Sequence, residues 1–279
     1  MNPIIRKLFY AMPVGLRYTA RRLLYLPSDL FRNKNSLVPP KGLIFTGRGD
    51  YVASGNEMFG RFRQYTNITP KSSILDIGSG IGRMAVPFTK FLDKDGKYEG
   101  FDIVKMGVDW CQKNITSRFP NFNFTLIPLK NDLYNLSTDE KASTVVFPYP
   151  DNTFDLIFLT SVFTHMLPED MEHYINEIKR VLKPGQTCFA TFFLLDSDSE
   201  NAMNTNAASG RKIFTHHFET YSLMDKNVKE ANVAYRKDYI FGLLRSQGLE
   251  ISHFFRGSWS GMSAGEINEH QDVIIFKKA

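Results

Sequence analysis

Ile74-Leu75-Asp76-Ile77-Gly78-Ser79-Gly80-Ile81-Gly82-Arg83 is the stretch that decides how this chain folds. Ile74, Leu75 and Ile77 read as a buried strand. Glycine then recurs at every second position, and residues 83–91 read as a helix. A sharp strand-to-helix turn requires glycine, which also lets a ligand reach the backbone without meeting a Cβ. A glycine motif alone is weak evidence, but the strand–turn–helix setting gives it weight. The dinucleotide fingerprint G-x-G-x-x-G does not fit. Counted from Gly78 its last glycine falls on Arg83, and counted from Gly80 it falls on Ala85.

The same alternation continues on the C-terminal side. Apolar β-rich runs at 97–103, 121–127, 154–160 and 187–195 are separated by helical stretches at 108–118 and 168–182, the pattern of a parallel sheet with crossover helices. Lys183-Pro184-Gly185 stops the second of these helices. A helix over 240–246 and two strands, 249–255 and 271–277, close the sheet. Residues 197–239 are polar, aromatic-rich and without periodicity, too long for a plain connection, and read as a lid-like insert. Asp102 lies at the end of the second strand, 20 residues beyond Gly82. A carboxylate there can accept hydrogen bonds from both hydroxyls of a ribose.

Composition narrows the classes. The chain has 279 residues, 43% apolar and 23% charged, as expected of a globular protein with a well-buried core. It offers no apolar run long enough for a membrane-spanning helix. Cys111 and Cys188 lie far apart, which favours a reducing, cytoplasmic compartment over a disulfide framework. The net charge of +5 is unevenly spread. The first 40 residues carry seven basic residues against Asp29 alone, leaving the remainder at −1. A neutral body argues against a nucleic-acid partner. Residues 1–40 therefore read as a basic amphipathic arm, ended by Pro39-Pro40-Lys41-Gly42, ahead of one domain over 41–279. Residues 1–34 either make peripheral contact with anionic lipid or form helices that cap the body; a mitochondrial presequence is a third reading.

Three further stretches, in order, carry a resemblance. They are Phe147-Pro148-Tyr149-Pro150-Asp151-Asn152-Thr153-Phe154-Asp155, Ser161-Val162-Phe163-Thr164-His165-Met166-Leu167, and Glu177-Ile178 followed by Arg180-Val181-Leu182-Lys183-Pro184-Gly185. With Asp76-x-Gly78-x-Gly80-x-Gly82 ahead of them, the region from 73 to about 195 resembles the class I S-adenosylmethionine (SAM)-dependent methyltransferases of small-molecule type. The resemblance implies a Rossmann-like, doubly wound, mostly parallel seven-stranded α/β sheet with an antiparallel last strand. It implies SAM as cofactor and no metal. Asp76 would meet the methionyl ammonium directly or through water. Gly78, Ser79, Gly80 and Gly82 would line the cofactor, and Arg83 or Arg48 would meet its carboxylate. Asp102 and Ile103 would hold the ribose side, and Thr160 would lie at the end of the fourth strand. The family's acid after the third strand, near the adenine, has no clean counterpart. Asp132, Asn131 or backbone groups of Leu129 would serve.

The acceptor reads as a small molecule, saccharide or lipid-linked glycan, attacked through oxygen. An oxygen acceptor usually needs a base, and His165 after the fourth strand is the first candidate, with Asp196 after the fifth as the second. Trp259 suits either packing or a planar acceptor. His216 and His217 lack partners at metal-ligand spacing. Two rival readings are a non-catalytic SAM-binding protein and a nicotinamide-dependent oxidoreductase. The glycine spacing disfavours the oxidoreductase, as does the lack of a Tyr-x-x-x-Lys pair after the fourth strand. The oligomeric state is not legible.

Overall fold

The protein is described by a computed structural model over residues 14–33, 35–47, 49–131, 138–205 and 213–279. Two helices, α1 (Val14–Leu30) and α2 (Tyr51–Tyr65), precede β1 (Ser73–Ile77). They are followed by α3 (Ala85–Phe88), β2 (Lys97–Asp102), α4 (Lys105–Cys111), β3 (Phe122–Leu126), β4 (Phe154–Leu159) and α5 (Pro168–Val181). Next come β5 (Leu182–Phe192), β6 (Leu194–Leu195), α6 (Ser197–Thr205), β7 (His216–His217), β8 (Tyr221–Leu223) and β9 (Val233–Arg236). The chain ends with α7 (Lys237–Ser246), β10 (Leu249–Phe255) and β11 (Asp272–Lys278).

The main sheet runs β10-β11-β5-β4-β1-β2-β3, with β11 antiparallel to both its neighbours and the other pairs parallel. This is the mostly parallel seven-stranded arrangement expected, with the last strand, β11, running antiparallel. Central strands are apolar on both faces because helices cover both faces. Leu75 and Ile77 of β1 point into a core shared with Met171, Tyr174, Ile178 and Val181 of α5. Ile74 points the other way, against Met58 and Phe62 of α2. Helix α5 starts at Pro168, with Glu169 and Asp170 in its first turn and Lys179 and Arg180 in its last, the charge order its dipole favours.

Several boundaries differ from expectation. The helix expected over 83–91 shrinks to α3, because Pro87 lacks the N–H that would bond the Arg83 carbonyl and crowds that carbonyl. Helix α4 begins three residues before position 108 and continues into a π turn, Gln112–Thr116. The strand expected over 187–195 leaves the main sheet after Phe192, its last register partner being Asp272. The Asp272 carboxylate then accepts the Leu194 N–H at 2.8 Å, so the ladder ends there. The insert over 197–239 is not irregular. It holds α6 and strands β7, β8 and β9, which join β6 in a second sheet ordered β6-β9-β8-β7, beside a small core of Phe193, Leu195, Met203, Phe214, Ala234 and Trp259.

Helix α1 is fixed to the body near both of its ends. Asp29 accepts from the Lys41 and Gly42 N–H groups at 2.7 and 3.0 Å, and Tyr18 meets Phe45 edge to face at 5.9 Å between ring centres. Residues 1–13 of the arm lie outside the described residues, as do Arg48 and Asp132.

Candidate functional site

In an open α/β sheet the ligand crevice lies at the carboxyl ends of the strands, where the strand order reverses. Here that point is between β1 and β4. The glycine loop leaves β1 on one side of it, and the segment bearing Ser161 to His165 leaves β4 on the other. Gly78, Gly80 and Gly82 all have positive φ (74°, 57° and 78°), a conformation other residues rarely adopt. A Cβ at Gly78 would lie 2.4 Å from Val162 Cγ2, so the loop after β4 rests directly on the loop after β1. Gly107 on α4 makes a second close approach, since a Cβ there would lie 2.2 Å from the Gly80 carbonyl oxygen. The sequence reading missed Gly107, though a glycine at the start of a crossover helix was the available signal.

Asp102 is buried, and backbone groups orient its carboxylate. Gly80 N–H donates to Oδ2 and Val104 N–H to Oδ1, each at 2.7 Å. Burial raises its pKa to about 6, against the lowering effect of those N–H groups. Each oxygen keeps lone-pair capacity for a further donor such as a ribose hydroxyl. Asp76 sits deeper, with Tyr98 donating its hydroxyl at 2.6 Å. Burial raises Asp76 to about 7; the Tyr98 hydrogen bond opposes that shift and the charge of Asp102 adds to it. Among the described residues, no Lys or Arg forms an ion pair with either acid. Two buried carboxyls without a countercharge suit a cationic ligand. Ser79 Oγ is buried in the same loop with no hydrogen-bond partner. An orphaned hydroxyl, a positive-φ glycine cradle and an oriented carboxylate together fit an adenosyl cofactor with a methionyl ammonium.

Other expected cofactor residues are placed as follows. Arg83 donates to the Thr46 carbonyl at 2.9 Å and lies over the Tyr51 ring at 5.2 Å, clamping the segment before α2 onto the glycine loop. Ile103 and Thr160 directly follow β2 and β4 at the crevice. Leu129 is buried, and the Asn131 amide donates to the His165 carbonyl at 3.2 Å, tying the segment after β3 to the one after β4.

His165 closes a 3-10 turn, Phe163–His165. Its Nδ1 lies 2.9 Å from the Glu230 carbonyl. A carbonyl only accepts, so this contact calls for the proton on Nδ1, and the Ala231 backbone also bonds the ring. Burial lowers its pKa below the ordinary histidine value. The insert thus folds over this turn, and the Tyr235 hydroxyl adds a bond to the Met166 carbonyl at 2.6 Å.

Asp196 is differently placed. It pairs with Arg256 at 2.6 Å and Lys237 at 3.2 Å, and these partners, with the Ser199 N–H, outweigh burial and hold its carboxyl far below the usual range. A carboxylate so stabilised is a poor proton acceptor, and Asp196 acts as a bridge between the β6 end, α7 and β10. Trp259 is a packing residue, buried against Phe193 and Phe214 with its indole N–H on Asp272 at 2.6 Å. Sequence reading gave no site role to Ser161, which has φ of 60° and whose hydroxyl donates to Gln271 at 3.0 Å, joining the loop after β4 to the start of β11. Among the described residues no three His, Cys, Asp or Glu side chains gather as a metal site.

Residues 75–190 match the family described as a methyltransferase domain. With the fold and the glycine loop above, this region is a class I SAM-dependent methyltransferase domain. Similar proteins include a tRNA N(3)-cytidine methyltransferase of Gallus gallus, 28% identical over 128 residues, covering 44% of this chain and 31% of that protein. The probable methyltransferase ltbC of Aspergillus luteorubrus is 32% identical over 113 residues, covering 40% and 36%. The chain thus spans about a third of the length of these curated relatives. Among solved structures, the PH0226 protein of Pyrococcus horikoshii OT3 superposes with a TM-score of 0.56 at 13% identity, covering 85% of this chain and 95% of that one. Burkholderia thailandensis 1,6-didemethyltoxoflavin-N1-methyltransferase, solved with S-adenosylhomocysteine, gives 0.51 at 15% identity, covering 96% and 91%. These likenesses show the shared fold. The expectation of no nucleic-acid acceptor draws no support from relatives that include a tRNA enzyme.

Proposed function

We propose that this protein transfers a methyl group from SAM to an oxygen of a small-molecule, saccharide or lipid-linked acceptor. The observation that carries the reading is the buried Asp102 carboxylate, oriented by the Gly80 and Val104 N–H groups beside the positive-φ glycine loop. The cofactor supplies a sulfonium-bound methyl group. The chain's own residues supply position and a proton acceptor. Asp102 holds the ribose, and Asp76, with Tyr98 behind it, faces the methionyl ammonium. The glycine loop admits the cofactor to the backbone. His165 takes the acceptor's hydroxyl proton as the oxygen attacks, while the Glu230 carbonyl holds the ring through Nδ1. The neutral body supports an uncharged or small acceptor over nucleic acid. The test is calorimetry with SAM, S-adenosylhomocysteine and NAD, followed by turnover of labelled SAM against hydroxylated acceptors. Binding of SAM with methylated product is expected; NAD binding without SAM binding would reject the reading.

A further inference from the structure

The outer face of α1 is not used by anything described above. Leu16, Ala20, Leu23, Leu24, Pro27 and Leu30 recur at three- and four-residue intervals, which gathers them on one side of a helix. That side faces solvent. Leu23 is 66% exposed, Leu24 73% and Leu30 66%, and Phe31, directly after the helix, is 90% exposed. The half-buried residues Tyr18, Arg21, Tyr25 and Asp29 lie on the opposite side, against the body. A surface helix of a globular protein turns its apolar stripe inward, and α1 does the reverse. A contiguous apolar patch of this kind marks a docking surface.

Charge says what docks there. Arg17 and Arg22 lie on the flanks of the stripe, and Arg32 follows it. The helix's one acid, Asp29, already accepts two backbone N–H groups, from Lys41 and Gly42. A cleft of about 560 Å³ opens between α1 and α4, with Arg22, Arg32, Lys113 and the Lys105–Asp109 ion pair in its wall. An apolar stripe between guanidinium flanks matches a surface with an apolar interior and phosphate headgroups. It does not match a second copy of the same helix, whose two-fold pairing would set arginines against arginines.

We propose that α1 docks this protein peripherally on anionic lipid bilayers, its leucine stripe and Phe31 entering the headgroup–acyl boundary and its flanking arginines meeting lipid phosphates. The inner side of the same helix leads to the cofactor loop. Tyr18 packs on Phe45, whose ring edge lies 3.1 Å from where a Cβ on Gly107 would be, and Gly107 abuts the Gly80 carbonyl. The charge of Asp102 also reaches Tyr18, adding to the burial that raises its phenol to about 12. A docked helix therefore holds the cofactor loop near the lipid, with Phe45 and the start of α4 between them. The proposal stands whether or not methyl transfer is the reaction.

The test uses the full chain with vesicles of phosphatidylcholine alone or mixed with phosphatidylglycerol, read by sedimentation. The protein is expected to bind the mixed vesicles, and raising salt from about 0.15 to about 1 M should weaken that binding. A Leu23→Gln, Leu24→Gln, Leu30→Gln variant is expected to lose vesicle affinity by more than about tenfold. Its thermal melt and SAM affinity should stay unchanged, since all three side chains are exposed. Arg17→Gln with Arg22→Gln should flatten the salt dependence. No binding by the parent protein, or binding equal in the triple variant, would overturn the proposal. So would sedimentation velocity showing a parent dimer that the triple variant dissolves, because that outcome assigns the stripe to a second copy.

Discussion

Asp102 and His165 do different work, and single substitutions separate them. Asp102→Ala removes the ribose acceptor and the partner of the Gly80 and Val104 N–H groups. SAM binding should weaken by roughly 1.5–3 kcal/mol, the scale of hydrogen bonds to a charged group. Calorimetry giving an unchanged affinity would remove Asp102 from the cofactor. His165→Ala should lower the saturated rate by roughly 10²–10⁴ with little change in SAM affinity, the signature of a proton acceptor. Burial holds the imidazole neutral below its ordinary value, so the ascending limb of the pH–rate profile should lie below about 6.5 and the plateau should cover neutral pH. If the variant binds SAM poorly but turns over normally at saturation, His165 shapes the pocket and is not the base. Asp196 serves as the control at this scale. Its ion pairs make Asp196→Asn a change in how the insert attaches, and the pH profile should keep its shape.

Among the elements, the contact between α4 and the glycine loop is the tightest near the site. Gly107→Ala would drive a methyl group to 2.2 Å from the Gly80 carbonyl, so the loop or the helix must move. The expected outcome is weaker SAM binding with a modest loss of thermal stability, because the displaced atoms belong to the buried turn of the glycine loop. A melting temperature that collapses along with binding would show that the contact supports the fold instead. This pair also marks the limit of what the sequence could tell. Strand order and the glycine turn were legible because a buried strand must be apolar and a sharp turn must be glycine, and both leave local signals. Gly107 left only a glycine at the start of a crossover helix and Tyr98 left nothing, since their roles depend on atoms 27 and 22 residues away in the chain. The insert read as irregular for a related reason. Strands β7, β8 and β9 have two to four residues each, too short for a period to show, and they pack on Phe193 and Trp259 from distant segments. Trp259 looked as suited to an acceptor as to a core, and only its bond to Asp272 decides for the core.

At the scale of the whole molecule, three buried carboxyls couple stability to pH. Burial raises Asp76 to about 7, and Asp102 and Asp272 each to about 6, while an unfolded aspartate titrates near 4. Below the unfolded value all three are protonated in both states and carry no penalty. As pH rises past it the unfolded chain releases these protons first, so stability falls until pH passes the folded values. Buried His165 works in the opposite sense, its contribution being lost as pH drops below about 6.5. Three groups oppose one, so the melting temperature of the cofactor-free protein should decline between about pH 5 and pH 7.5. Asp196, held far below the usual carboxylate range, sets the acid limit, because its ion pairs are lost only at much lower pH. SAM should change the slope as well as the height of this curve. A ligand that binds only the folded state raises the melting temperature at every pH. Its cationic groups favour the ionised forms of Asp76 and Asp102, so binding should release protons and tighten from about pH 6 to pH 7.5. Calorimetry in buffers of different ionisation enthalpy reads that release directly. Asp76→Asn keeps an acceptor for the Tyr98 hydroxyl but cannot titrate, and it should reduce both the proton release and the pH dependence of affinity. A SAM affinity independent of pH in the parent protein would place the methionyl ammonium away from Asp76, leaving that carboxyl as a buried partner of Tyr98 alone.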